Sequence, residues 1–135
     1  MLTKKDYCDY ETCVALKELG YVGICDAYYE LTGSEDYNRD SFGLSYTRDF
    51  IHPDDIDRVA APLLYQAQKW LREEKKIVVL VGFDFCPITS EIVYNWVIVV
   101  NGNIAKKSSY TYDYFEEALS EGIKEAVKIL KGRVI

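Results

Sequence analysis

Residues 94–130, YNWVIVVNGNIAKKSSYTYDYFEEALSEGIKEAVKIL, are the stretch that decides the fold. Two strand-like segments, 94–100 and 103–110, flank the pair Asn101-Gly102. This pair is typical of a two-residue hairpin turn, because both turn positions need positive φ angles. After the second segment the apolar spacing changes from every second residue to every third or fourth, which is typical of an amphipathic helix. The stretch therefore predicts a β-hairpin followed directly by a helix.

The predicted last helix begins at Asp113, whose carboxylate suits an N-cap, and Glu116 follows at the spacing of a capping box. Lysines toward its carboxyl end complement the helix dipole. The predicted buried stripe is Phe115, Ala118, Leu119, Gly122, Ile123, Ala126, Val127 and Leu130.

Shorter patterns precede this stretch. Helical spacing predicts a first helix over 7–19 and a second that begins at Pro62, where a proline suits the first turn. Strands are predicted over 21–31 and 42–46, the second pairing back onto the first, and residues 47–61 are predicted to be a connection. The fully apolar run 77–81 is typical of a central strand that is covered on both faces, or of a strand that pairs across a subunit contact.

Together these patterns predict an α+β fold. The predicted order is αββαβββα, with three helices and about five strands in a mainly antiparallel sheet, because hairpins rather than long crossovers join the strands. A chain of 135 residues is the usual size of one domain, so we expect a single domain over residues 1–135.

Composition narrows the class of protein. With 49% hydrophobic and 28% charged residues the chain reads as an ordinary globular protein. Its longest strongly apolar run is far shorter than the ~20 residues that span a bilayer. The amino terminus has no apolar segment typical of a secretory signal, so we expect a cytoplasmic protein that does not bind membranes.

The four cysteines are expected to be reduced, small buried hydrophobes. Cys8 and Cys13 lie five residues apart on a predicted helix, about 140° apart around its axis, which does not suit a shared metal ion. With no Cys-x-x-Cys pair and one histidine, no metal site is expected. The chain has no phosphate-binding loop or dinucleotide fingerprint, so no cofactor is expected either.

Charge is distributed unevenly along the chain. Through Asp57 there are 13 acidic and 5 basic residues, whereas from Arg58 onward there are 9 acidic and 11 basic ones. An acidic surface repels nucleic acid, so nucleic-acid binding is not expected, and it attracts basic protein partners. Plain solubility is the alternative explanation of the acidic residues.

Twelve tyrosines are more than a core of this size can bury with every hydroxyl bonded, so several are expected at the surface. Tyrosine is enriched at recognition surfaces, although it also fills strands well. The candidate binding residues are Tyr28, Tyr46, Asp49, Asp54 and Asp55.

Catalytic candidates are few. His52 as a general base with Cys25 or Cys86 as a nucleophile would form a thiol–imidazole pair. Asp54, Asp55 and Asp57, together with Asp49, have carboxylate oxygens suited to a hard cation. Their spacing, however, lacks the glycine and final glutamate of an EF-hand loop. We favour solvated or helix-initiating acids over a cation site, and a surface or turn histidine over a catalytic one.

Three segments carry a resemblance to a group of small uncharacterised proteins of gut anaerobic bacteria and their phages. They are 7–21 with its closing Gly20-Tyr21, the helix 61–73 that ends Trp70-Leu71-Arg72-Glu73, and 113–124 with its Tyr-Phe-Glu-Glu-Ala-Leu run. The chain departs from that group by placing Phe115 between Tyr114 and Glu116. The resemblance implies a bacterial or prophage accessory protein and assigns no functional residue.

The sequence thus predicts a small non-enzymatic binding or accessory protein that meets a protein partner, or a second copy of itself as a homodimer, through tyrosine-rich and acidic surface. Three alternatives stay open. One is an acidic decoy that imitates nucleic acid, and another is a small enzyme that uses His52, a cysteine and nearby aspartates. The third is a structural piece of a virion or mobile-element assembly.

Overall fold

The computed structural model describes residues 3–22, 25–30, 44–46 and 55–133. In these ranges a short 3-10 helix, Lys4–Asp6, precedes three α-helices: α1 (Tyr10–Glu18), α2 (Leu64–Glu74) and α3 (Phe115–Arg133). The strands are β1 (Ala27–Glu30), β2 (Ser45–Tyr46), β3 (Arg58–Ala60), β4 (Ile77–Phe85), β5 (Ile92–Val100) and β6 (Asn103–Lys107).

The predicted α+β class, three helices and antiparallel pairing are confirmed. The structure adds a strand, β3, inside the region predicted to be a connection, and its strands form two three-stranded sheets. The chain divides into two compact units, unit 1 (Met1–Leu63) and unit 2 (Leu64–Ile135). Units of this size also occur within one domain, so the single domain over residues 1–135 stays a prediction.

Unit 1 contains α1 and the sheet of order β2-β1-β3. Asp9 caps α1, because its carboxylate accepts a hydrogen bond from the Thr12 N–H at 2.9 Å. As predicted, β2 pairs back onto β1, with Ala27 opposite Tyr46. The predicted strand over 21–31 is shorter in the structure, which begins β1 at Ala27.

Unit 2 is built on the sheet of order β4-β5-β6. β4 and β5 pair over nine residues each, from Ile77 opposite Val100 to Phe85 opposite Ile92. The predicted turn at Asn101-Gly102 is confirmed, with φ angles of 52° and 79°. Local turn chemistry therefore sets the register of β5 and β6 next to the turn, and an irregularity between Ile98 and Val99 shifts the register farther along.

In the described part of the chain β4 is an edge strand, contrary to the prediction of a central one. Helix α2 covers this edge: the Gln68 side chain donates a hydrogen bond to the Val79 carbonyl at 2.7 Å. A covered edge does not offer that carbonyl to a strand of another chain. The apolar run indicated burial correctly at Ile77 and Val79, but the prediction of cover on both faces is wrong, because Leu80 on the other face is 50% exposed. Sequence also does not distinguish a neighbouring strand from a helix as the cover of an edge.

Helix α3 packs on the sheet at Gly122, the point of closest approach to Val79 and Trp96. The predicted stripe is buried from Ala118 to Leu130, but its first member, Phe115, is exposed. α3 begins at Phe115, two residues later than predicted, and its first hydrogen bond runs from the Ala118 N–H to the Tyr114 carbonyl.

Candidate functional site

Cys25, a candidate nucleophile, is fully buried in unit 1. Its thiol donates to the Tyr21 hydroxyl at 3.9 Å, and burial raises the pKa of Cys25 to about 11. The thiol is therefore protonated at neutral pH, whereas the thiolate is the nucleophilic form. Cys8 and Cys13 are also buried, and burial raises the Cys13 pKa well above its ordinary value. These three cysteines pack as small hydrophobes, as expected from the sequence.

Cys86, the other candidate nucleophile, differs from them because it lies half-buried at the start of the turn between β4 and β5. Hydrogen bonds from the Thr89 side chain, and then from the Thr89 and Ile88 backbone, lower its pKa. The turn closes through the Ser90 N–H, which donates to the Cys86 carbonyl at 2.8 Å, with Ser90 at a φ of 59°. Cys86 is thus the more ionisable thiol.

The proposed partner of these thiols, His52, lies outside the described residues, as do Asp49 and Asp54. The thiol–imidazole pair and the aspartate cation site therefore stay predictions. Among the residues that the structure describes, no three His, Cys, Asp or Glu side chains are grouped to hold a metal ion.

Tyr28 and Asp55, two of the candidate binding residues, are joined by Arg58. The Arg58 guanidinium lies over the Tyr28 ring, 5.6 Å from its centroid, and pairs with the Asp55 carboxylate at 3.1 Å. The N–H groups of Asp57 and Arg58 also donate to Asp55, and these bonds lower its pKa. The Asp55 carboxylate thus organises the turn into β3. Tyr46, another candidate, lies on β2.

The tyrosines divide between core and surface, as the sequence predicted. Tyr29 is buried with its hydroxyl donating to the Cys8 carbonyl at 3.2 Å. Tyr65, Tyr110 and Tyr114 are exposed. Tyr114 directly precedes Phe115, the first residue of α3 and a member of an exposed apolar surface of unit 2.

This surface, the hairpin patch, is the principal candidate site. Its members are Phe83, Phe85, Ile92, Tyr94 and Phe115, with Ile88 at the tip of the β4–β5 hairpin. Alternation along a strand puts Phe83 and Phe85 on the face that carries Val79, which is the face that α3 covers. The register places Tyr94 opposite Phe83 and Ile92 opposite Phe85.

The patch is open because α3 begins part of the way along the hairpin. The first residue of α3, Phe115, meets the Tyr94 ring edge to face with the centroids 5.9 Å apart. Beyond that contact nothing on α3 continues over the strands. Phe83 and Phe85, which stack edge to face at 6.1 Å, are 66% and 56% exposed, and Ile92 is 47% exposed.

The patch was not predicted from the sequence, because the predicted binding residues were tyrosines and aspartates. One signal was present: the strand pattern runs four residues beyond the Ile77–Val81 segment, with Phe83 and Phe85 on one face. Whether that face is covered depends on where α3 begins relative to β5, and this relation is a matter of tertiary structure.

Comparison with protein-family models, with curated proteins and with solved structures finds no match to this chain. The resemblance to proteins of gut bacteria and their phages therefore stays a prediction. In the described ranges no helix combines the length and the apolarity that crossing a membrane requires.

Proposed function

We propose that this chain is a small protein-binding accessory protein that contacts its partner through the hairpin patch. The observation that carries the proposal is the exposure of Phe83 and Phe85 beside Ile92 on one continuous face. Contiguous exposed apolar surface of this kind marks interaction sites on soluble proteins, whereas single exposed apolar residues do not.

The backbone pairing of the strands that carry the patch also supports binding. Phe83 and Phe85 lie on a strand paired to β5 along its whole length, and Tyr94 is further bonded through its backbone to Tyr112 at 2.8 Å in both directions. The backbone under the patch is already ordered, so a partner that covers the patch has to fix side chains but no loop. The cost of ordering the backbone is therefore small.

The proposal includes the accessory role and the cytoplasmic, bacterial or prophage origin that the sequence predicts. The partner is another protein or a second copy of the chain. The nucleic-acid decoy and the enzyme depend on residues outside the described ranges, chiefly Asp49, His52 and Asp54, and stay predictions.

The test is site-specific photo-crosslinking in the native host. A benzophenone amino acid replaces Phe85 in one variant and Ile104 in a matched control. Ile104 is 65% exposed but lies beside the Asn101-Gly102 turn, at the opposite end of the sheet from the patch. We expect a defined protein adduct from position 85 and none of the same mass from position 104.

The crosslinked protein is then purified and its affinity measured by calorimetry. Phe83→Ser and Phe85→Ser are expected to weaken binding by at least about 10-fold each, as for residues at the centre of an interface, and Ile104→Ser by less than about 2-fold. Equal adducts from both positions, or affinity that is unchanged in both phenylalanine variants, would show that the patch is not the binding surface.

A further inference from the structure

We infer that the hairpin patch takes a basic amphipathic segment of another protein, with apolar side chains on the patch and lysine or arginine beside it. This inference rests on the proposed function and adds the chemistry of the partner. It depends on the distribution of charge around the patch.

The segments that supply the patch carry carboxylates and no cations. The acidic rim consists of Glu91, Asp113, Glu116 and Glu117, each within two residues of a patch member. Three of the four are exposed and Glu116 is half-buried. Asp84 lies between Phe83 and Phe85 on the other face of β4 and is not part of the rim. No lysine or arginine occurs in 77–105 or in 108–123, the two segments that supply the patch and its rim.

The helix dipole explains part of this arrangement. Acidic residues at the start of α3 stabilise its amino terminus, which accounts for Glu116 and Glu117. It does not account for Glu91, which belongs to the β4–β5 hairpin, nor for the absence of cations from both segments.

Three cations of unit 2 can be placed relative to the patch and its rim, and all three are distant. Lys124 lies seven residues along α3 from Glu117, roughly 10 Å at the helical rise per residue. Lys107 is opposite Val97, which lies three residues or roughly 10 Å along β5 from Tyr94. Lys69 follows Gln68, whose side chain is bonded to Val79, and Val79 lies four residues or roughly 13 Å along β4 from Phe83. These distances exceed the Debye length of about 8 Å at physiological ionic strength.

The same charges argue against a second copy of this chain as the occupant. A symmetric dimer through the patch would bring two identical acidic rims together. Like charges placed against one another across an interface disfavour association. A basic partner gains from the same groups, and its approach is accelerated by electrostatic steering.

Three synthetic peptides of about 18 residues, or five helical turns, test the inference. The first is an amphipathic Leu/Lys peptide, the second has Glu in place of every Lys, and the third keeps Lys but has Ser in place of every Leu. The third peptide measures attraction to acidic surface alone, which matters because unit 1 has 13 acidic and 6 basic residues. Binding is followed by anisotropy of labelled peptide and by amide chemical shifts of the protein.

We expect the Leu/Lys peptide to bind at least about 10-fold more tightly than the other two and to shift the amides of Phe83, Phe85 and Ile92. Phe83→Ser should weaken its binding about 10-fold, and Ile104→Ser should leave it unchanged. The double variant Glu91→Gln, Glu117→Gln should weaken binding and reduce its dependence on salt, because fewer charges are screened.

Two results would overturn the inference and leave the proposed function in place. One is patch-dependent binding of the Leu/Glu peptide that equals that of the Leu/Lys peptide. The other is a dimer, detected by sedimentation equilibrium, that Phe83→Ser abolishes. Peptide binding that is unaffected by Phe83→Ser and Phe85→Ser would instead contradict the proposed function itself. Tryptophan fluorescence of each variant establishes that unit 2, which contains both tryptophans, is folded.

Discussion

Gly122 of α3 lies so close to Val79 of β4 that a Cβ atom on residue 122 would be 2.7 Å from Val79 Cγ1. It would also be 3.1 Å from the Trp96 Cβ. Helix and sheet approach this closely only because residue 122 has no side chain. The glycine is therefore a packing residue, although its helical position favours alanine by about 1 kcal/mol.

Gly122→Ala is expected to destabilise unit 2, because overpacking costs about 1–3 kcal/mol and exceeds the gain in helix propensity. Val79 is β-branched and cannot turn its methyl group away freely. Urea unfolding followed by tryptophan fluorescence measures the loss. Gly132→Ala is the matched control, since a Cβ atom on residue 132 would meet nothing within 4 Å, and it should not destabilise.

The double variant Val79→Ala, Gly122→Ala sharpens this test. Removing the Val79 methyl groups makes room for the new Cβ, so the two changes should be less harmful together than the sum of their separate effects. Additive effects, or a Gly122→Ala variant as stable as the parent, would contradict the close approach of α3 to β4.

Tyr29→Phe is expected to lower the stability of unit 1 by about 1 kcal/mol, because the buried Cys8 carbonyl loses the hydroxyl that donates to it. Hydrogen exchange of the Tyr29 and Val59 amides, which lie on paired strands, measures the effect. Tyr65→Phe, at an exposed ring, should leave exchange unchanged. Unaltered protection in Tyr29→Phe would mean that this hydrogen bond contributes nothing to unit 1.

Cys86 is expected to be the one fast-reacting thiol in the native protein toward iodoacetamide, with Cys8, Cys13 and Cys25 reacting only on unfolding. Its rate should rise with pH through a midpoint below the ordinary thiol pKa, because hydrogen bonds from Thr89 and Ile88 stabilise the thiolate.

Thr89→Val should raise that midpoint by removing the largest of these stabilising bonds, and Cys86→Ser should abolish fast labelling. Two or more fast thiols in the native protein, or a midpoint that Thr89→Val leaves unchanged, would contradict this account of the turn.

Glu125→Gln is expected to destabilise unit 2 by roughly 0.5 kcal/mol at neutral pH, the size of a partly exposed ion pair. The Lys106 ammonium, 2.8 Å away, holds the Glu125 pKa below its ordinary value of 4.5. A depressed carboxyl pKa stabilises the fold above the unfolded value, and that contribution is lost as the pH falls through the folded value.

The difference between parent and Glu125→Gln should therefore be present above about pH 5 and vanish in stronger acid, as measured by urea unfolding at several pH values. Glu121→Gln is the control at a more exposed pair, with Lys124 at 3.3 Å. A difference that persists unchanged in acid would mean that charge on Glu125 is not its source.

Part of the hairpin patch could be foreseen from the sequence and part could not. The excess of tyrosine correctly indicated aromatic side chains at the surface, and Tyr114 directly precedes the patch member Phe115. The phenylalanines at its centre were missed, because the strand pattern that carries them is the same whether a helix covers it or not. Asp55 was selected for its charge, and in the structure its carboxylate forms an ion pair with Arg58 within the same turn.

The sequence by itself determined what depends on neighbours along the chain. Asn101-Gly102 permits the two positive φ angles of its turn, and the apolar spacing from Ala118 to Leu130 defines the buried side of α3. Only the tertiary structure decided which part of the sheet face α3 covers. Val79 is buried and Phe83 exposed on one face of one strand, because α3 begins at Phe115 above Tyr94 and reaches the sheet most closely at Gly122. The position of α3 along the sheet depends on contacts between residues far apart in the chain, so no local sequence pattern predicts it.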